Sequence, residues 1–266
     1  MATPNMRKRC VIGWCRVFGK QREKMTKPLS QTSPNSPEKR KQLLTRAIIR
    51  VILFNTIVGL AFFLPAGHVN WSQVWVLLVL WVFYYLIMFF IGLRVSPDMV
   101  LERAKGIQKE GKVYDRIIIS VYILTFAALA ITAGLDVGRY NWSDVPVWGE
   151  IAAFIPVLLA YALPIWATFS NPFAAGVMRI QEERGHHAIS AGPYRFIRHP
   201  MYLGTVIFGI FSPIFIGSWW ALIPGFAMAC VFIVRTALED RVLHEELPGY
   251  QAYAQQVQYR IFPGIW

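Results

Sequence analysis

Residues 71–93 read WSQVWVLLVLWVFYYLIMFFIGL, and this stretch decides the fold class. It contains no Asp, Glu, Lys or Arg, and as a helix it is long enough to cross the roughly 30 Å hydrocarbon core of a bilayer. Apolar residues make up 55% of the 266 residues and charged residues only 16%, against about 25% charged residues in soluble domains. The composition therefore excludes an ordinary soluble domain and predicts a membrane protein.

Similar apolar stretches recur at 47–66, 117–137 and 147–169. A further stretch, 201–235, is interrupted by Gly217-Ser218-Trp219-Trp220. It is too long for one crossing, so we expect a helical hairpin of two short spans. The sequence predicts an all-α, polytopic membrane helical bundle of about six transmembrane helices, the last two forming this hairpin.

The charges of the loops predict the orientation in the membrane. Loops 94–116 and 170–199 hold six and four Lys or Arg residues, whereas 67–70 and 217–219 hold none and 138–146 holds one. Because basic loops alternate with uncharged ones, the positive-inside rule places the basic side in the cytoplasm. We therefore expect an integral, multi-pass membrane protein with both termini on the cytoplasmic side.

The N-terminal segment 1–46 carries most of the net charge. It holds twelve of the 27 basic residues and two of the 15 acidic ones, and so carries ten of the twelve net positive charges. A basic tail beside an apolar body fits an anionic membrane surface or topology determination better than nucleic acid. We expect a mostly disordered tail over 1–46, four transmembrane helices over 47–169, and a third region, with a polar loop and the hairpin, over 170–266.

The segment after the last span has the periodicity of an amphipathic helix. Within Glu239–Tyr259 the apolar residues are spaced four or three apart, apart from a break at Pro248-Gly249. These residues are Leu243, Leu247, Tyr250, Ala254 and Val257. We expect this helix to lie along the cytoplasmic surface and to cover part of the protein.

Two polar clusters flank the hairpin. The first, residues 192–204, reads GPYRFIRHPMYLG, in which Pro200 suits the first residue of a helix. The second contains Arg235 and Glu239, which share one helix face at a spacing of four. Each cluster alone has a structural explanation, such as a turn or a helix-end salt bridge. Because the hairpin brings Arg235 back beside His199-Pro200, we expect the two clusters to share one pocket.

Taken in order, these motifs resemble a known family. Gly-Pro-Tyr-x-x-x-Arg-His-Pro-x-Tyr-x-Gly, a hairpin, Arg-x-x-x-Glu-Asp-x-x-Leu and a Tyr-x-x-Tyr helix are similar to the isoprenylcysteine carboxyl methyltransferase family, membrane methyltransferases related to the phospholipid N-methyltransferases. The resemblance covers about residues 165–266. It implies an S-adenosylmethionine-dependent methyltransferase, with its active site on the cytosolic side, that O-methylates the carboxylate of a lipidic acceptor such as S-isoprenylcysteine.

The resemblance also implies roles for individual residues. Arg235 matches the arginine at the methyl-accepting carboxylate, and Glu239 matches an acidic residue that contacts the cofactor. Asp240 stands where a second Glu is common, and Asn171-Pro172-Phe173 fits an upstream element. The cofactor contacts it implies are Gln181, His186, Ile189, Tyr194, His199, Pro200, Met201, Tyr202 and Glu239.

Three alternatives stay open. A phospholipid N-methyltransferase would share the fold and cofactor, although Arg235 suits an anionic acceptor better than an amine. A sterol-reductase-like NADPH enzyme is a second alternative, and a non-catalytic membrane scaffold or transporter is a third. We expect membrane lipids and a lipidic or prenylated methyl acceptor as partners, with no metal and no nucleic acid.

Overall fold

The computed structural model describes residues 37–95, 113–174, 180–182 and 185–266. Within them the chain forms α-helices and no strand. The helices are α1 (Pro37–Ala66), α2 (Ser72–Val95), α3 (Val113–Ala133), α4 (Val147–Ser170), α5 (Pro200–Phe215), α6 (Leu222–Glu246) and α7 (Tyr250–Gln256). A π-helix, Gly134–Tyr140, extends α3, and a 3-10 turn covers Gly192–Arg195.

Helix α1 begins within the segment that we predicted to be a mostly disordered tail. The chain divides into two units, Met1–Gln42 and Leu43–Trp266, and the first is described only from residue 37, where it is helical. Residues 37–46, which we assigned to the disordered tail, therefore belong to α1. Pro37 suits the first position of a helix and Glu, Lys, Arg, Gln and Leu follow it, all good helix formers. The predicted disorder of 1–36 lies outside the described residues.

Five helices are long and apolar enough to cross a membrane. They cover Thr45–Ala66, Ser72–Phe90, Tyr114–Tyr140, Val147–Ser170 and Leu222–Glu246. Their apolar side chains largely face outward, and Leu64, Leu124 and Ile155 are each more than two-thirds exposed. Such a surface is unfavourable in water and is solvated by lipid tails in a bilayer. The predicted class, a polytopic helical membrane protein, is confirmed.

The hairpin differs in detail from the prediction of two short spans. Helix α5 has 16 residues, so it is about 24 Å long. It packs against α4 and α6 and buries half of its residues. Helix α6 has 25 residues and runs past Arg235 to Glu246. The prediction was therefore right for α5 and wrong for α6, because polar residues beyond Arg235 find partners inside the protein and the helix continues.

The amphipathic segment is also divided differently. Leu243 lies in the last turns of α6, and only Tyr250–Gln256 form a separate helix, α7. Gly249, in the left-handed region at φ 80°, makes the turn between them. The apolar stripe covers part of the protein, as predicted. Its apolar residues pack with Tyr194, Ile180, Ile189 and Met201, which belong to the polar loop and the start of α5.

Two glycines allow the close approach of α5 and α6. A Cβ atom on Gly225 would lie 2.1 Å from the Gly209 carbonyl oxygen, and one on Gly209 would lie 2.7 Å from the Gly225 carbonyl oxygen. Both obstacles are backbone atoms, which cannot rotate away as a side chain can. The hairpin therefore requires glycine at both positions.

Replacing Gly225 by Ala should separate α5 from α6 and destabilise the protein by about 1–3 kcal/mol, the usual cost of overpacking. Gly149→Ala is the matched control, because its Cβ would meet only side-chain atoms at 3.6 Å or more and Ala favours a helix. Thermal unfolding of the purified protein in detergent measures both. A Gly225→Ala variant as stable as Gly149→Ala would contradict the packing argument.

Candidate active site

A cavity of about 270 Å³ lies at the end of the bundle where α5 begins. Arg235 lines it, together with eight of the nine residues predicted to contact the cofactor. The eight are His186, Ile189, Tyr194, His199, Pro200, Met201, Tyr202 and Glu239. The structure thus brings the loop motif and the α6 motif into one pocket, as the hairpin argument predicted.

Gln181 is the predicted cofactor residue that the structure does not bring to the cavity. Its side chain is 1% exposed, and its Nε2 donates a hydrogen bond of 2.7 Å to the carbonyl of Phe173. The rings of Phe173 and His186, both in the cavity wall, lie 4.7 Å apart. Gln181 therefore stabilises the loop without lining the cavity. Sequence position alone does not show which way a loop side chain points.

Glu239 presents a carboxylate to the cavity. It accepts a hydrogen bond from the Tyr202 hydroxyl, and its Oε1 lies 3.9 Å from His199 Nδ1. The rings of His199 and Tyr202 stack in nearly parallel planes. At 17% exposure the Glu239 side chain is still accessible. The arrangement places an acidic side chain in the cavity beside two stacked aromatic rings.

Arg235 has a buried acidic partner that the sequence did not reveal. Its Nη2 lies 2.8 Å from Oδ1 of Asp115, a fully buried residue near the start of α3. The guanidinium also lies over the rings of Tyr202 and Phe232, at 5.0 and 5.6 Å from their centres. A helix-end salt bridge was one interpretation of Arg235, and the observed ion pair instead joins α6 to α3.

Asp240 connects the two motifs beneath the cavity. Its carboxylate is 1% exposed and pairs with Arg198, from Nε to Oδ1 at 2.9 Å and from Nη2 to Oδ2 at 3.1 Å. Arg260 Nε donates to Oδ2 at 2.8 Å and the Tyr250 hydroxyl donates to Oδ1 at 2.8 Å. His199 Nε2 lies 3.4 Å from the same Oδ1. One buried carboxylate therefore anchors the Arg198-His199 pair and the C-terminal segment.

The C-terminal segment also bonds to the loop motif through its backbone. The amides of Arg198 and His199 donate 2.9 Å hydrogen bonds to the carbonyls of Tyr259 and Arg260. The Tyr253 hydroxyl donates to the carbonyl of Tyr194 at 2.7 Å. Burial, reinforced by the nearby Tyr194 phenol, raises the pKa of Tyr253 above its usual value, so its hydroxyl remains a donor at neutral pH.

The same conclusion holds for Tyr250. Burial and the neighbouring Asp240 carboxylate raise the pKa of its phenol well above 10. The hydroxyl therefore keeps its proton at neutral pH and donates its hydrogen bond to Asp240.

Gly192 has a conformational role in the motif. Its φ of +58° lies in the left-handed region, and a Cβ there would lie 2.0 Å from Ser170 Oγ. Only glycine combines this backbone conformation with this packing. The residue shapes the loop without offering a functional group.

A second cavity, of about 410 Å³, adjoins the first. The two share Tyr84, Pro164 and Thr205 as walls. Its lining is mainly aromatic and apolar, from α1, α2, α3, α4 and α5, with Arg46 and Arg50 also lining it. A smaller, more polar pocket thus adjoins a larger, more apolar one that lies among the membrane-spanning helices.

Several site residues escaped sequence reasoning. Asp115, Tyr84 and Phe232 lie in or beside apolar spans and carried no motif. Arg260 follows the last predicted helix and stood outside every pattern. A lone Asp at the start of a span was a usable signal, because a charge in a membrane helix usually has a partner, but its partner could not be inferred without the packing of α3 on α6.

The apolar helices define a helical membrane protein, and a family match over part of the chain supports a methyltransferase. Residues 152–245 match the isoprenylcysteine carboxyl methyltransferase (ICMT) family model, so the predicted resemblance is confirmed over this region. The match covers α5 and most of α4 and α6, but not Asp115 or the Tyr-x-x-Tyr helix α7. No individual curated protein matches the chain.

Removing the Asp240 carboxylate should loosen the whole site. Asp240→Ala leaves Arg198 without its buried counter-charge, so we expect a loss of about 3–5 kcal/mol in stability. Glu245→Ala, in the same helix, breaks an exposed pair with Arg241 and should cost less than about 1 kcal/mol. The free energies of unfolding of both variants in detergent, monitored by tryptophan fluorescence, are compared. Equal losses would show that Asp240 does not carry the site.

Proposed function

We propose that the protein is an S-adenosylmethionine-dependent methyltransferase that acts on the carboxylate of a lipidic acceptor such as S-isoprenylcysteine. The observation that carries the proposal is the pair of adjoining cavities, one lined by the family motifs and one apolar and surrounded by membrane helices. The family match supports methyl transfer. The donor and the acceptor are the parts that the experiments below test.

The chemistry of the first cavity fits the donor. S-adenosylmethionine carries an ammonium, a carboxylate and an adenine ring, and when bound it supplies an electrophilic methyl group on a sulfonium centre. Glu239 offers a carboxylate to the ammonium, and the faces of Tyr194 and Tyr202 suit the adenine or the cationic centre. His199, beside the first turn of α5, is suited to the donor carboxylate.

The second cavity suits the tail of the acceptor. Trp81, Tyr85, Met88 and Phe208 give it an aromatic and apolar surface, on which a prenyl or acyl chain would be favoured. Because Tyr84 and Thr205 belong to both cavities, a chain in the second would direct its polar end to the first. An amphiphile with a reactive group near its head is therefore the substrate class that fits.

In this proposal the protein acts mainly by positioning. A carboxylate acceptor is already ionised at neutral pH, so no general base is needed. Arg235 lies in the cavity wall and can orient the acceptor oxygen. With the donor bound, its methyl group would pass to the acceptor oxygen that Arg235 orients, and the sulfonium would leave as the neutral thioether. The apolar walls exclude water from this step.

We also propose that the pocket and both termini face the cytoplasm. The pocket lies at the bundle end that carries Arg46, Arg50 and Arg116. Exposed aromatic residues, including Trp142, Trp148 and Trp219, mark the opposite end, as at a membrane interface. The distribution of basic loop residues supports this orientation.

One observation favours the alternative of lipid N-methylation. Arg235 already has an anionic partner in Asp115, so it does not need an acceptor carboxylate for charge balance. An amine acceptor with a nearby phosphate would also suit a cavity that contains both Arg235 and Glu239. The function assay below therefore includes a phospholipid amine.

Glu239→Gln tests the donor site. Loss of the charge should weaken donor binding by about 1.5–3 kcal/mol, roughly tenfold to a hundredfold in Kd. Titration calorimetry with S-adenosylmethionine and with S-adenosylhomocysteine distinguishes the contact. Equal losses indicate the ammonium, because only the first ligand is a sulfonium.

The control for this variant is Glu245→Gln, an exposed carboxylate on the same helix that does not line the cavity. It should leave both dissociation constants unchanged. If Glu239→Gln bound both ligands as tightly as the control, Glu239 would be removed from the donor site.

The function itself is tested with a methyl-labelled donor and three acceptors in parallel, S-farnesylcysteine, phosphatidylethanolamine and a sterol. We expect label in S-farnesylcysteine that mild base releases, because methyl esters hydrolyse and N-methyl groups do not. Base-stable label in the phospholipid would support the N-methyltransferase alternative instead. Absence of transfer to every acceptor would contradict the proposal.

A further inference from the structure

Asp115 and Arg235 form an ion pair at the wall of the first cavity. The two side chains are 0% and 9% exposed, and Nη2 lies 2.8 Å from Oδ1. Arg235 lines the cavity, whereas Asp115 is fully buried and does not. Asp115 comes from α3, outside the residues that match the family. A helix without any family motif therefore contacts the arginine of the motif.

The pair restrains Arg235 from two directions. Asp115 holds one terminal nitrogen, while the rings of Tyr202 and Phe232 lie against the guanidinium at 5.0 and 5.6 Å. A guanidinium is a rigid plane of N–H donors, and the 2.8 Å ion pair with Asp115 restrains that plane on one side. The orientation of the guanidinium therefore depends on the position of Asp115.

The ion pair also reduces the net charge that Arg235 presents to a ligand. An arginine without a counter-ion would bind any anion strongly, including a product or a lipid headgroup. With Asp115 beside it, the arginine forms a nearly neutral pair, and an incoming carboxylate must share the guanidinium with Asp115. The acceptor carboxylate then binds more weakly, but it binds in one orientation. This is the arrangement expected when orientation matters more than affinity.

We propose that Asp115 is a positioning residue that orients Arg235 toward the acceptor carboxylate and moderates its charge. This inference rests on the proposed function, in which Arg235 contacts the acceptor. It assigns α3 a part in acceptor recognition, so that the site draws on both halves of the chain.

A purely structural ion pair between α3 and α6 would give different results. Loss of a structural pair lowers stability and the active fraction, but leaves the affinity of the remaining active enzyme unchanged. Loss of a positioning partner relieves the competition for Arg235, so the acceptor binds more tightly and in less productive orientations. KM and kcat should then fall together.

The test compares Asp115→Asn, Asp115→Glu and Asp136→Asn in the full-length protein. Asp136 is also a fully buried carboxylate, hydrogen-bonded to Ser143 and Ser218, but it lies about 30 Å farther along the same helix. It is therefore the matched control for loss of a buried negative charge away from the cavity. S-farnesylcysteine is the acceptor.

Asp115→Asn should lower kcat by about tenfold to a hundredfold and lower the KM for S-farnesylcysteine by roughly threefold. The Kd of S-adenosylhomocysteine should stay unchanged, which shows that the donor site has folded. Titration of S-farnesylcysteine in the presence of S-adenosylhomocysteine, where no methyl can transfer, should show the same tighter binding. Asp115→Glu should restore KM toward the wild-type value, and Asp136→Asn should match the wild type in both constants.

Two outcomes would overturn the inference, and they are distinguishable. If the wild type methylates S-farnesylcysteine but Asp115→Asn has the KM and acceptor affinity of Asp136→Asn, the pair is structural and the proposed function stands. If the wild type neither binds nor methylates S-farnesylcysteine, the proposed function fails and this inference fails with it.

Discussion

The buried carboxylate of Asp240 is the interaction on which the site depends. It faces Arg198, His199, Tyr250 and Arg260, and no apolar side chain could replace these contacts. Arg198 and His199 belong to the loop motif, whereas Tyr250 and Arg260 belong to the C-terminal segment. Removing a carboxylate from such a cluster leaves buried positive charge, which is far more costly than losing an exposed pair. Continuity between loop, α6 and C-terminus therefore rests on electrostatics as much as on apolar packing.

The site is divided between parts with different physical demands. The membrane helices need only apolar outer surfaces and close packing, and glycines such as Gly209 and Gly225 supply the close approach. The end of the bundle needs fixed polar groups, and these are fastened in pairs, Asp115 to Arg235 and Tyr202 to Glu239. In the proposed function, the apolar part receives the chain of the acceptor and the polar part receives the donor. The adjoining cavities give that division a physical form.

Some residues could be assigned before the structure and others could not. Pro200 as a helix start, the turn at 217–220, and a common pocket for His199 and Arg235 followed from local chemistry and from the geometry of a hairpin. Gln181 was predicted at the cofactor, but its side chain turns to the carbonyl of Phe173. Asp240 was noted only as a replacement for Glu. Its role depends on Arg260, twenty residues later, and a link of that kind leaves no local pattern.

By itself, the sequence determined the class of fold and the approximate spans, because burying charge in lipid is costly and every chain that crosses a membrane therefore contains long apolar stretches. The order of its motifs indicated the resemblance to a family that residues 152–245 match. The sequence also determined which polar residues lie near the site, since a short hairpin returns the chain to where it began. Only the tertiary structure decided which charges pair. The partners of Arg235 and Asp240 come from α3 and the C-terminal segment, and their meeting depends on how helices pack. Packing is set by the fit of many small contacts at once, and no short stretch of sequence records it.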